Sequence, residues 1–176
     1  MKKIVYLASL LLTMALTTSC EKEEVGGTAT ESLAGDWYVI CDAVDAEGNI
    51  VEPDFNEGRF HVLTYNTAEN SANKLYVDDD GNLLGIKVVT DCSTGALTFA
   101  NGAMVETEAS HNRNVSDNVQ VTDGKILLGA GRQNNGSPAD SISFYVQFEE
   151  DAYAENYGFV KYHIHGVRYS GLEEND

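Results

Sequence analysis

Positive charge is scarce in this chain. Only 11 Lys+Arg stand against 28 Asp+Glu, a formal net charge of −17, and the basic residues are spread singly. A polyanion is bound by clustered Lys and Arg that release counterions, so nucleic-acid partners are excluded. The same shortage disfavours lying flat on anionic lipid. Proline is rarer still, at two residues, which rules out a Pro-rich stalk. No Gly-x-Ser-x-Gly nucleophile elbow occurs, so the commonest local sign of a serine hydrolase is missing. No stretch keeps a helical stripe. The one long apolar run, Ile4–Leu16, has thirteen residues, short of the roughly 20 that a membrane-crossing helix needs. What remains, 43% hydrophobic and 22% charged, is the content of a globular protein.

The first residues read as an address. Lys2 and Lys3 form a charged start, Ile4–Leu16 has the length of a signal-peptide core, and Thr17-Thr18-Ser19 leads directly into Cys20. Small residues before a cysteine resemble a bacterial lipobox, although Thr17 stands where that motif usually has Leu. The chemistry asks for small side chains in the peptidase site and a thiol that can carry diacylglycerol, so residues 1–19 read as a lipoprotein signal peptide and Cys20 as the lipidated residue. Two or three acyl chains give stable anchoring where one does not. Without the two lysines, the remaining 9 basic residues face 28 acids, a balance of −19. Residues 20–32 read as a flexible acidic tether. Its start, Glu21-Lys22-Glu23-Glu24, resembles the signal that exports Bacteroidetes lipoproteins to the cell surface. An outer-membrane lipoprotein displayed at the surface is therefore expected, with a periplasm-facing anchor as the alternative.

Residues 33–176 read as one domain whose dominant period is two. Ile142, Phe144, Val146 and Phe148 alternate with polar neighbours, as do Val115, Val119 and Val121, the pattern of half-buried strands. Further strand-like runs fall at 36–43, 59–67, 74–79, 83–91, 96–100, 103–109, 125–130 and 157–169. Asp80-Gly81-Asn82, Asn101-Gly102 and Asp123-Gly124 tolerate positive φ and read as hairpin turns. Residues 149–157 read as a loop or a single helical turn. About ten short strands with tight turns specify an all-β fold, an antiparallel barrel or sandwich.

Two resemblances narrow this. Leu33-Ala34-Gly35-Asp36-Trp37-Tyr38-Val39 contains the Gly-x-Trp that opens lipocalin-like (calycin) barrels. There the Trp closes the barrel floor and a last-strand Arg packs across it, which makes Trp37 and Arg168 the expected barrel-closing pair. More specifically, Thr64-Tyr65-Asn66-Thr67-Ala68-Glu69-Asn70-Ser71, Asn73-Lys74-Leu75-Tyr76-Val77-Asp78-Asp79 and the ending Gly166-Val167-Arg168-Tyr169-Ser170-Gly171 resemble a Bacteroidetes lipoprotein family labelled lipid-binding putative hydrolase, with Ser170 replacing Thr. This resemblance spans about 33–176. It implies a calycin-like barrel of about eight to ten strands anchored in the outer membrane, and it supplies no catalytic motif.

Other chemistry is weakly signalled. His163 and His165 are two apart on a strand and share a face, so they can bind zinc if His61 or an acid faces them. They read better as the wet face of the last strand with Lys161, opposite Val160, Tyr162 and Ile164, and neither a metal nor another cofactor is assigned. Asp78-Asp79-Asp80-Gly81-Asn82 fails as an EF-hand loop, because Tyr76 and Lys87 fall on its first and last ligand positions. A hairpin turn is the stronger reading, and weak surface calcium the other. Cys41 and Cys92 are a pair that an oxidising envelope can bridge, or two buried free thiols. Asp140-Ser141-Ile142 matches a short O-glycosylation pattern, or simply starts a strand. Trp37, Phe60, Phe99, Phe144 and Phe148 read as barrel filling, and Tyr38, Tyr145, Tyr153, Tyr157 and Tyr169 as exposed platforms or mouth residues.

The expected function is binding of an apolar or amphipathic small molecule, a lipid for example, against a wall of Trp37, Val39, Cys41, Val160, Tyr162 and Ile164. A non-catalytic surface module docking a protein or glycan is the competitor, and a lipid or ester hydrolase comes third.

Overall fold

The computed structural model describes residues 27–104 and 118–175. Within them the chain forms nine antiparallel strands: β1 (Gly35–Val44), β2 (Ile50–Glu52), β3 (Phe60–Asn66), β4 (Lys74–Asp78), β5 (Lys87–Ser93), β6 (Thr98–Met104), β7 (Val119–Arg132), β8 (Pro138–Phe148) and β9 (Lys161–Arg168). Each of β3 to β8 pairs with the next in sequence, β1 pairs with β3, and β9 pairs back onto β1. The result is a closed eight-stranded barrel, with β2 as an extra strand beside the end of β1. Closure removes the exposed sheet edges that would otherwise template aggregation.

Alternation sends one set of side chains inward. Trp37, Val39, Cys41 and Ala43 of β1, Ile142, Phe144, Val146 and Phe148 of β8, and Tyr162 and Ile164 of β9 are all buried in one core. The chain is ordered upstream of β1 as well. Glu31–Leu33 forms a 3₁₀ turn that buries Leu33, and the Ala29 N–H donates to Asn70 Oδ1 at 2.8 Å.

The floor of the barrel, at the start of β1, is locked by polar contacts. The Arg168 guanidinium carbon lies 4.4 Å from the centre of the Trp37 ring, Arg168 Nη1 donates to the Ala34 carbonyl at 2.9 Å, and Arg168 Nε reaches Asp140 Oδ2 at 3.3 Å. Beneath the ring, Trp37 Nε1 donates to Thr64 Oγ1 at 2.8 Å, and that hydroxyl donates onward to the Leu33 carbonyl at 2.6 Å. Every buried polar atom of this stack has a partner, as burial requires. Gly35 makes room for it, since a Cβ there would lie 2.5 Å from Arg168 Nη1.

Two expected hairpins are bulges. Asn101 (φ 60°) lies within β6 and Asp123 (φ 54°) within β7, and each coincides with one extra residue in the ladder to the neighbouring strand. A bulge uses the same positive-φ chemistry as a turn, but it bends the strand without reversing it. Thus 96–100 and part of 103–109 are a single strand. At Gly124 the curvature brings Phe99 so close that a Cβ would sit 2.4 Å from its ring. Asp80-Gly81-Asn82 does turn the chain, between β4 and β5. Asp79 points inward there and its carboxylate accepts from the N–H groups of Gly81, Leu83, Leu84, Gly85 and Ile86 at 2.6 to 3.2 Å. That network fills residues 81–86 and delays β5 to Lys87.

The acidic stretch after β8 contains a short helix, α1 (Ala152–Tyr157). Asp151 caps it, its Oδ1 accepting from Tyr153 N at 2.9 Å and Ala154 N at 3.1 Å. Gly158, at φ 75°, ends it in the left-handed conformation that glycine adopts without strain. The expected strand over 157–169 therefore begins only at Lys161.

Arg168→Ala removes the ring contact and leaves the Ala34 carbonyl without its donor. It should lower unfolding free energy by about 2 kcal/mol, read from urea denaturation, whereas truncation of the exposed Leu128 should change it little.

Candidate functional site

Of the six residues expected to form a ligand wall, Trp37, Val39, Cys41, Tyr162 and Ile164 point inward and are at most 2% exposed. They are brought together by the pairing of β1 with β9, where Cys41 faces Ile164 and Ala43 faces Tyr162. Trp37 is on the floor, and Tyr162 is near the opposite end, the mouth. Val160 corrects the expectation: it is 39% exposed. Residues 158–160 precede β9, so strand alternation does not govern them. Phe159 takes the inward position after the α1 cap, while the Val160 N–H bonds to the Val44 carbonyl.

Of the two readings of Cys41 and Cys92, a bridge or two free thiols, the structure has the second, and both thiols are free. Cys41 is in the mouth half of β1. Cys92 is in the floor half of β5, paired with Phe99, and β3 and β4 stand between the two strands. Closed-barrel geometry holds the two sulfurs apart. Burial pushes the Cys41 thiol well above its ordinary range, which makes it an inert core residue rather than a nucleophile.

The mouth differs from the floor in what closes it. Phe55, on the loop after β2, meets Phe159 at 5.3 Å, Tyr162 at 5.9 Å and Tyr157 at 6.1 Å between ring centres, all edge-on. Phe159 and Tyr162 are 5.0 Å apart, and Phe148 completes the group at 6.2 Å from Tyr162. The Phe55 N–H bonds to the Cys41 carbonyl at 2.6 Å, so the loop rests on β1 directly above the core. One buried polar bond anchors the cluster: the Tyr162 hydroxyl donates to Asp151 Oδ2 at 2.7 Å. Burial raises the Tyr162 pKa far above that of a free phenol, and the Asp151 carboxylate adds to the shift. Around this plug Tyr157, Tyr153, Val160, Ile50 and Val51 are exposed. Beside it, Asn118, Gln120, Gln147 and Glu149 with Phe148 line a recess of about 330 Å³, within the range of small-ligand sites.

Sequence reasoning missed Phe55 and Phe159. Phe55 is in a short irregular loop and Phe159 was placed within a regular strand, so neither position stood out by period. The run Phe55, Tyr157, Phe159, Tyr162 was the available signal, but only the fold unites it.

A second group lies on the outer wall. Ser143 Oγ is 2.9 Å from His163 Nε2, and His165 Nε2 is 3.0 Å from Asp42 Oδ2. His163 stacks between Tyr145, at 4.6 Å, and His165, at 4.5 Å. Ser143 and His163 have the spacing of a nucleophile and its base. However, the flanking backbone is committed to the β7–β8 and β8–β9 ladders, so it offers no ready oxyanion hole. Burial, assisted by neighbouring His165, also holds the His163 pKa down to about 4, which makes it a weak base at neutral pH.

Comparison with known proteins adds one finding. A family model described as lipid-binding putative hydrolase matches residues 22–173. No curated protein matches the chain. Among the described residues, no helix is long and apolar enough to cross a membrane.

The depressed His163 pKa has a signed consequence. Between its ordinary value of 6.5 and about 4, the unfolded chain takes up a proton that the folded chain refuses. The contribution is complete above pH 6.5 and is lost as pH falls through that window. Thermal midpoints measured from pH 7 to pH 4 should decline less steeply in His163→Gln than in the wild type.

Proposed function

We propose that this chain, which belongs to the family of lipid-binding putative hydrolases, binds the acyl part of an amphipathic lipid at the mouth of its barrel. The observation that carries the reading is the contrast between the two ends. The floor is held by directional bonds among Arg168, Trp37, Thr64 and Leu33. The mouth is held mainly by edge contacts among Phe55, Tyr157, Phe159 and Tyr162. Each such ring contact is worth only about 0.5–1.5 kcal/mol beyond the area it buries, and an alkyl chain can replace it while gaining roughly 0.8 kcal/mol per buried methylene.

The rest of the wall fits a ligand entering from this end. Tyr162 lies just beneath Phe55, Cys41 and Ile164 come next at one level, and Val39 and Trp37 lie successively deeper, while Val160 stands on the rim. Among the described residues, the polar recess at Gln120, Gln147 and Glu149 has no cationic lining. It suits an uncharged or hydroxyl-rich headgroup better than a phosphate. In this reading the protein is an outer-membrane lipoprotein anchored through Cys20, displayed at the surface by its acidic tether. The excess of negative charge keeps the barrel off anionic headgroups.

Native mass spectrometry of protein extracted gently from its own membrane should show one lipid mass per chain. A fluorescent fatty acid should bind the emptied protein, with affinity weakened about tenfold, roughly 1.4 kcal/mol, in Phe55→Ala. Absence of both the lipid mass and probe binding would remove the reading and favour a docking module.

A further inference from the structure

We propose that Asp42, His163 and His165 form a binding site for a divalent transition-metal ion of the zinc class on the outer wall of the barrel. The site is separate from the mouth and does not depend on lipid binding. The geometry comes from barrel closure. His163 and His165 project from the same face of β9, and Asp42 projects beside them because the β1–β9 register sets it opposite His163. One donor atom from each of the three lies within 4.8 Å of the others.

A tetrahedral site with bonds of roughly 2.0 to 2.2 Å brings its donors to a little over 3 Å apart. His165 Nε2 and Asp42 Oδ2 are already 3.0 Å apart. On binding, the proton that His165 Nε2 shares with Asp42 Oδ2 is released to solvent or moves to Nδ1, and the His163 ring moves inward, releasing the Ser143 hydroxyl it now contacts at 2.9 Å. That hydroxyl, or a water, completes four-coordination, because both imidazoles are half-buried rather than sealed.

Three further features suit a metal better than a bare hydrogen-bond network. Asp42 is 4% exposed, and a carboxylate so buried attracts a cation more strongly than one in water. Its second oxygen, Oδ1, accepts from the Asp54 N–H at 2.8 Å, the kind of outer contact that orients a ligating carboxylate. The His163 ring stacks between Tyr145 and His165, which holds it on the same patch of wall as the carboxylate. Two neutral imidazoles and one carboxylate are a familiar zinc donor set, in a chain whose net charge of −17 favours cations.

The test uses the full chain, stripped with chelator and titrated with Zn²⁺ alone by calorimetry at pH 7. One equivalent should bind, and His163→Gln and His165→Gln should each weaken it at least tenfold. His61→Gln, a histidine on β3 paired with Asp36, should leave it unchanged. Thermal midpoints without metal establish that the variants fold. Should either site variant fail to fold, the wild type loaded with Cu²⁺ reads the same ligands through nitrogen hyperfine structure from two imidazoles. Absence of the Zn²⁺ equivalent, binding unchanged in folded site variants, or a copper spectrum without two imidazole nitrogens would overturn the site.

Discussion

Pairing of β1 with β9 is the constraint on which the rest depends. The register runs from Trp37 opposite Arg168 to Val44 opposite Lys161, and it turns a meander into a cylinder. Side chains that alternate along each strand then divide into an interior and an exterior. Inside, Trp37, Cys41, Tyr162 and Ile164 become neighbours although more than a hundred residues separate the two strands. Outside, the same register places Asp42 against the two histidines.

Closure leaves the two ends unequal. At the floor, the Arg168 guanidinium covers Trp37 and its polar stack is satisfied link by link. At the mouth, α1 is six residues long and the Phe55 loop rests on β1 through the Phe55 N–H to the Cys41 carbonyl and the Asp54 N–H to the Asp42 carboxylate. Short elements held by ring contacts open more readily than a paired ladder. A ligand that must reach a filled interior meets least resistance there. The inert character of Cys41 fits the same picture, because a core thiol beneath the mouth adds apolar volume and no reactivity.

Much of the fold was legible because period two survives wherever a strand has one wet face. β1, β8 and β9 show it plainly, and Gly-x-Trp with a late arginine identified the floor. The misreadings have a common physical origin. Asn101-Gly102 and Asp123-Gly124 supply positive φ, and local sequence does not say whether that bends a strand or reverses it. Val160 and Phe159 could not be assigned faces until the end of α1 was known, since one residue of offset exchanges inside for outside. Cys41 and Cys92 stayed open between a bridge and free thiols because sequence carries no spacing across a barrel. Phe55 was invisible for the opposite reason: its loop has no period, and only closure brings it above Tyr162.

The central claim is that an acyl chain enters at the mouth and leaves the floor intact. Nuclear magnetic resonance with a spin-labelled fatty acid tests it directly, because the label broadens backbone signals near the bound chain. The account predicts broadening at Phe55, Tyr157, Phe159 and Tyr162, with Trp37 and Arg168 sharp. Broadening centred on Trp37 and Arg168, or none at the mouth when the probe is bound, would contradict it.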